Sequence, residues 1–141
     1  MIILNALPAL DTREFAKGIK SGFIVKEQVN MISEESITDR FTLAMKRASD
    51  LFGEHAFRKS YPGKRRTPIN KSLFETWGII LSGLSDSDYQ ALKQNKKNFM
   101  EDYKKIIEDP LFVISISRDS MKHLSVKYRF EKLSELVTIN L

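Results

Sequence analysis

No cysteine occurs among the 141 residues of this chain. That absence excludes disulfides, thiolate metal sites and cysteine nucleophiles, and it suits a reducing compartment. Histidine is nearly as scarce, with two copies, so the residues that usually hold zinc are too few to suggest a metal site. Long apolar runs are missing as well. The first ten residues, MIILNALPAL, are apolar but carry no basic leader and no evident cleavage site, and the run is far too short to cross a bilayer. The expectation is a soluble, cytoplasmic protein with no membrane role. Internal repeats, low-complexity tracts and convincing strand alternation are also absent.

What is present describes a helical globule. A hydrophobic fraction of 42% supports a folded core, and 29% charged residues keep it in solution. A chain of this length forms one ordinary domain and buries about two-thirds of its unfolded surface. Short helices are expected over residues 11–20, capped by Asp11 or Thr12, and over residues 23–31. A clearer helix follows. Ser36 and Asp39 have capping-box spacing, and Ile37, Phe41, Met45, Ala48 and Phe52 make one apolar face before Gly53 stops it. Thr67 as cap and Pro68 at the first position predict the next helix, with Ile69, Leu73, Trp77, Ile80 and Leu84 inward and Gly83 at its end. Ser85 and Asp88 open a long helix to about Glu108, burying Tyr89, Leu92, Phe99, Tyr103 and Ile106. Asp109 and Pro110 start a short helix over residues 111–116. Residues 121–138 form the last, with Val126, Phe130, Leu133 and Val137 facing inward. The fold class is therefore all-α, a single-domain bundle of five to seven helices. Residues 1–35 read as an N-terminal extension and residues 36–141 as the main module.

The charge is unevenly placed. Residues 55–74 contain no acid, yet carry Arg58, Lys59, Lys64, Arg65, Arg66 and Lys71. Those six positive charges exceed the net +5 of the whole chain, so the remaining 17 basic residues face 18 acidic ones. Such a local excess is a candidate contact surface for phosphate or for an acidic protein. Pro62 and Gly63 supply turn chemistry, so the segment is expected to be a surface loop, with a helical turn near residues 56–59. Its cations could hold backbone phosphates while Tyr61 stacks on a base. The plainer alternative is a solvated loop with Phe57 anchored in the core. The glycine spacing and lysine-serine ending of a Walker-type phosphate loop are absent.

Other candidates read as structural. His55 beside Glu54 has no serine, cysteine or metal partner at a matching spacing, and His123 has none either. Glu101-Asp102 and Glu108-Asp109 are neighbours that do not face one another on a helix. Arg129 sits beside the inward stripe of the last helix and could pair with an acid such as Glu75, an architectural arrangement.

The residues Phe52-Gly53, Ala56-Phe57-Arg58, Arg65-Arg66, Pro68-Ile69-Asn70-Lys71, Leu73-Phe74-Glu75 and Tyr128-Arg129-Phe130 form a distinctive string. It resembles the C-terminal helical region of a large prokaryotic family whose members carry an N-terminal ParB/sulfiredoxin-like nuclease or NTPase domain. The family includes the GmrS half of GmrSD-type modification-dependent restriction systems and related phage-defence proteins. The resemblance spans residues 37–139 and leaves residues 1–35 unmatched. The family's catalytic signature, an Asp-Gly-Gln-Gln-Arg-like stretch, is absent, for the chain has no Asp-Gly or Gln-Gln dipeptide. The resemblance therefore implies an accessory region without nuclease or nucleotide-hydrolysing activity. Arg58, Asn70, Lys71 and Arg129 are its family-like positions.

Three functional expectations result. The leading one is a non-catalytic module of a restriction or defence protein, needing no cofactor, which contacts the DNA backbone or docks a catalytic nuclease or NTPase domain through the basic loop. The second is a protein-interaction module whose loop meets an acidic partner, with no nucleic-acid role. The third is an enzyme with an unfamiliar site, to be recognised by a deep pocket holding Glu54, His55 or Arg129.

Overall fold

The computed structural model describes residues 34–118 and 120–141. The two short helices expected before residue 33 lie outside them. The described residues form an all-α bundle: α1 (Glu34–Phe52), α2 (Lys71–Gly83), α3 (Asp86–Gln94), α4 (Lys96–Glu108), α5 (Pro110–Ile116) and α6 (His123–Ile139). A single 3-10 turn, Gly53–His55, follows α1.

The apolar spacing of α1 does what the sequence requires of it. Phe41, Ala44, Met45, Ala48, Leu51 and Phe52 are buried along one face, which packs mainly on α2. Gly53, at φ +57°, turns the chain away in the left-handed region that a side chain would resist. The helix already runs at Glu34, so Ser36 lies within it and not at the cap position the sequence suggested.

The start of α2 differs from expectation. Its cap is Asn70, whose side chain accepts the Leu73 amide at 2.9 Å. Thr67 cannot serve, because its amide and hydroxyl go to Ser60 and its carbonyl to Arg58. Pro68 stands in the extended stretch before the helix, which suits its fixed φ equally well. Once begun, α2 is buried on nearly every side, from Ser72 to Ser82, and forms the centre of the bundle.

The long helix expected over residues 85–108 is two helices. Ser85 caps α3 as anticipated, accepting the Asp88 amide at 3.1 Å. The ladder breaks at Asn95, where φ is −98° and ψ 21°. Its amide group reaches Asn140 at the far end of α6, at 3.3 Å, and its side-chain oxygen accepts from Asn98 at 3.0 Å. A short polar side chain with partners off the helix axis competes with the helical ladder, and here it wins. The inward set of α4 is Phe99, Met100, Tyr103 and Ile107, so Ile107 takes the buried place expected of Ile106.

Helix α5 forms as expected, with Asp109 accepting the Leu111 amide at 3.4 Å and Pro110 at the first position. In α6 the buried positions are Arg129, Leu133, Leu136 and Val137, while Val126 and Phe130 are only half-buried. The core meets at an aromatic cluster. Phe52 lies 5.1 Å from Trp77 and 5.2 Å from Tyr103 between ring centroids, and the Trp77 indole donates to the Tyr103 hydroxyl at 3.0 Å. That bond lets two polar aromatics sit fully inside without an unpaired group.

Candidate functional site

The basic segment is a closed, ordered loop rather than a loose connection. Its two limbs meet in an antiparallel bridge between Arg58 and Ile69, and the Asn70 amide donates to the Phe57 carbonyl at 2.8 Å. Phe57 makes the corner. Its φ of 62° is left-handed, an unfavourable setting for a bulky residue that costs about 1–2 kcal/mol. Burial of its ring, which meets Phe74 edge-on at 5.2 Å, contributes about 2–3 kcal/mol and offsets that strain.

Inside the loop, Ser60 is 4% exposed and acts as a polar hub. Its oxygen accepts from the Thr67 amide at 3.2 Å and the Thr67 hydroxyl at 3.4 Å. Ser60 Oγ and His55 Nδ1 share a further hydrogen bond at 2.7 Å. The pair braces the loop by tying the buried serine to the 3-10 turn. At the tip, the Lys64 amide closes on the Tyr61 carbonyl at 3.0 Å with Gly63 at φ +97°, a type II turn with Pro62 and Gly63 at its centre.

This frame sorts the cations. Lys59, Lys64, Arg65, Arg66 and Lys71 are exposed. Arg58 is half-buried and turns inward, donating to the Thr67 carbonyl at 2.7 Å. Burial, and then the neighbouring Arg66 charge, push its guanidinium below its ordinary value. Arg58 is therefore part of the frame, and five of the six expected contact residues with charge face solvent. Lys59 also reaches Ser117 Oγ at 2.7 Å, which fastens the loop to the turn after α5. Arg118, the next residue on that turn, is exposed. The sequence gives no signal for that juxtaposition, because 58 positions separate Lys59 from Ser117.

Tyr61 lies against α4. Its hydroxyl donates to Glu108, a bond that raises the phenol above its usual value. The ammonium groups of Lys64 and Lys104 stand 5.8 and 5.4 Å from its ring centroid.

Two of the residues that carry the resemblance, Asn70 and Arg129, are structural in their contacts. Asn70 both caps α2 and donates to the Ile116 carbonyl at 2.8 Å. Arg129, 2% exposed, donates to Thr76 Oγ1 at 3.2 Å and to the carbonyls of Ser115 and Ser120 at 2.9 and 2.6 Å. Desolvation lowers its guanidinium from the ordinary value, and the Glu75 charge opposes that shift. Glu75 is thus an electrostatic neighbour, while the direct partners are carbonyls and a hydroxyl. A comparable arginine went unnoticed in the sequence. Arg47, 3% exposed, donates to the carbonyls of Leu81 and Leu84 at 2.7 and 2.8 Å and pairs with Asp86 at 2.8 Å. Its place on the apolar side of α1, one residue before Ala48, was the available clue.

Among the described residues no group of three or more His, Cys, Asp or Glu is placed to hold a metal ion. A groove of about 220 Å³ runs between α4 and α6, with Asp102, Lys105, Lys132 and Glu135 around Ile106 and Leu136. It does not include Glu54, His55 or Arg129. No helix among the described residues is long and apolar enough to cross a membrane. No family model matches this chain, and no curated protein or solved structure matches it either.

Proposed function

We propose that this chain is a non-catalytic helical module that holds a nucleic-acid backbone through its basic loop, as an accessory part of a prokaryotic restriction or phage-defence protein. The observation that carries the reading is four exposed cations, Lys59, Lys64, Arg65 and Arg66, on one braced loop from which acidic residues are missing. A surface of that kind attracts phosphate by charge and releases counterions on binding. No recognition helix enters the loop, so the contact fixes position and carries little sequence information. The restriction and defence setting rests on the resemblance of residues 37–139 and on the missing catalytic signature.

Fluorescence anisotropy with a labelled 20-base-pair duplex at 50 and 200 mM salt tests the reading. Each phosphate contact contributes about 0.9 to the slope of log affinity against log salt. Arg65→Ala/Arg66→Ala is expected to lower the slope by about 2 and to weaken binding at low salt. Equal binding by the variant, or no binding of duplex at 50 mM, refutes it. Docking to an acidic protein is the competing reading. One contact favours it: the loop already seats a carboxylate, Glu108, on Tyr61. Failure to bind duplex together with specific retention on an acidic peptide would establish that alternative.

A further inference from the structure

We infer that the basic loop grips the phosphates of duplex DNA and offers no platform on which an unpaired base can stack. The inference rests on the proposed reading of the loop as a nucleic-acid contact and adds which form of nucleic acid it takes.

Proteins that hold single strands without sequence preference combine a charged groove with aromatic faces on which successive bases lie. The loop has two aromatic residues that could play that part. Phe57 is 1% exposed, with its ring edge-on to Phe74 inside the core. Tyr61 is half-buried, with its hydroxyl tied to Glu108. Its ring has ammonium groups at 5.4 and 5.8 Å from the centroid, close enough for cation–π contact. A base stacking there would displace Lys104 or Lys64 from the ring and exchange one favourable contact for another. The Phe57 ring is closed to solvent, and the half-buried Tyr61 ring already carries two cation contacts and a bond to Glu108.

The remaining exposed groups are cations, and they recognise charge density. Duplex DNA carries one charge per about 1.7 Å of axis, roughly twice that of one strand, and gives more counterion release per contact. The closed loop adds a geometric argument. Its limbs are fixed by the Arg58–Ile69 bridge and by Ser60, so Lys64, Arg65 and Arg66 project from a stiff tip. A stiff cationic tip suits a regular backbone better than a strand that must be wrapped.

The test compares three 20-unit probes at 50 mM salt with the unmodified protein: duplex DNA, single-stranded oligo(dT), and an abasic deoxyribose-phosphate strand of equal length. Duplex is expected to bind at least about fivefold tighter than oligo(dT), with the oligo(dT) and abasic strands equal within about twofold. Oligo(dT) binding as tightly as duplex, or about fivefold tighter than the abasic strand, overturns the inference and leaves the proposed function standing. Failure of all three probes to bind overturns both. The abasic strand removes the bases without touching the protein, so no outcome depends on a variant that fails to fold.

Discussion

Asn70 joins the end of the basic loop to the helices on either side, and its two roles can be separated by substitution. Its side-chain oxygen takes the Leu73 amide at 2.9 Å, and its side-chain nitrogen donates to the Ile116 carbonyl at 2.8 Å. Asn70→Ala removes both. Loss of the cap costs about 1 kcal/mol. Loss of the donor to a half-buried carbonyl costs about 1 kcal/mol more. The expected destabilisation is therefore about 2 kcal/mol, or about 8 °C in Tm for a domain of this size. Asn70→Ser keeps a capping oxygen but does not reach Ile116, so it is expected to lose about half as much. Asn70→Asp keeps the cap and places a negative charge at the start of α2, a favourable site for it. It also sets an acceptor against the Ile116 carbonyl, and that repulsion is expected to leave it no more stable than the alanine variant at neutral pH.

Urea titration followed by far-ultraviolet circular dichroism and by the fluorescence of buried Trp77 measures all three variants. The order wild type, Ser, then Ala and Asp supports a residue with two independent bonds. If Ser and Ala are equally unstable, the cap carries nothing. If Ala is within about 0.5 kcal/mol of wild type, the whole account of the α2 start is wrong.

Substitutions at Arg129 and at the glycines test other parts of the same geometry. Arg129→Met strands the Ser115 and Ser120 carbonyls and removes the donor to the Thr76 hydroxyl, which keeps its own bond to the Ser72 carbonyl, and is expected to cost about 3–5 kcal/mol by urea titration. Arg129→Lys, which keeps the charge but not the planar fork, should recover less than half of that, and full recovery would show that charge alone suffices. Gly63→Ala forces a methyl group into a backbone at φ +97°, with an expected loss of about 1–2 kcal/mol, whereas Gly83→Ala has no such backbone penalty. Equal thermal shifts for the two glycine variants would remove the type II turn from the argument.

The parts of the fold that were legible share one property: their signal is local. The apolar face of α1, the Ser85 and Asp109 caps, the Pro62-Gly63 turn and the stop at Gly53 each depend on residues within four positions of one another. The misreadings arose where a distant partner decided the outcome. Thr67 and Pro68 form a good local helix start, but Ser60 and Arg58 claim the Thr67 backbone and hydroxyl, so α2 waits for Asn70. Residues 85–108 carry one helical pattern, yet Asn140, 45 positions on, helps break it at Asn95. The candidate site divides in the same way. An acid-free run of cations is visible in the sequence as composition. Its conversion of Arg58 into a brace, of Tyr61 into a contact for Glu108, and its fastening to Ser117 through Lys59 require the chain to have folded.

The stiffness of the loop bears on what it can do. A disordered basic segment pays an ordering cost on each encounter, about 1–2 kcal/mol for every backbone residue fixed. Here the order is already present. Phe57 sinks into the core, Ser60 gathers His55 and Thr67, and Arg58 bonds across the loop. These contacts hold like charges close together, as the effect of Arg66 on Arg58 shows. An anion at the tip relieves that repulsion, while water and salt only screen it. Under the proposed reading, the braces place the cations before a phosphate arrives, so the loop itself has little left to order on binding.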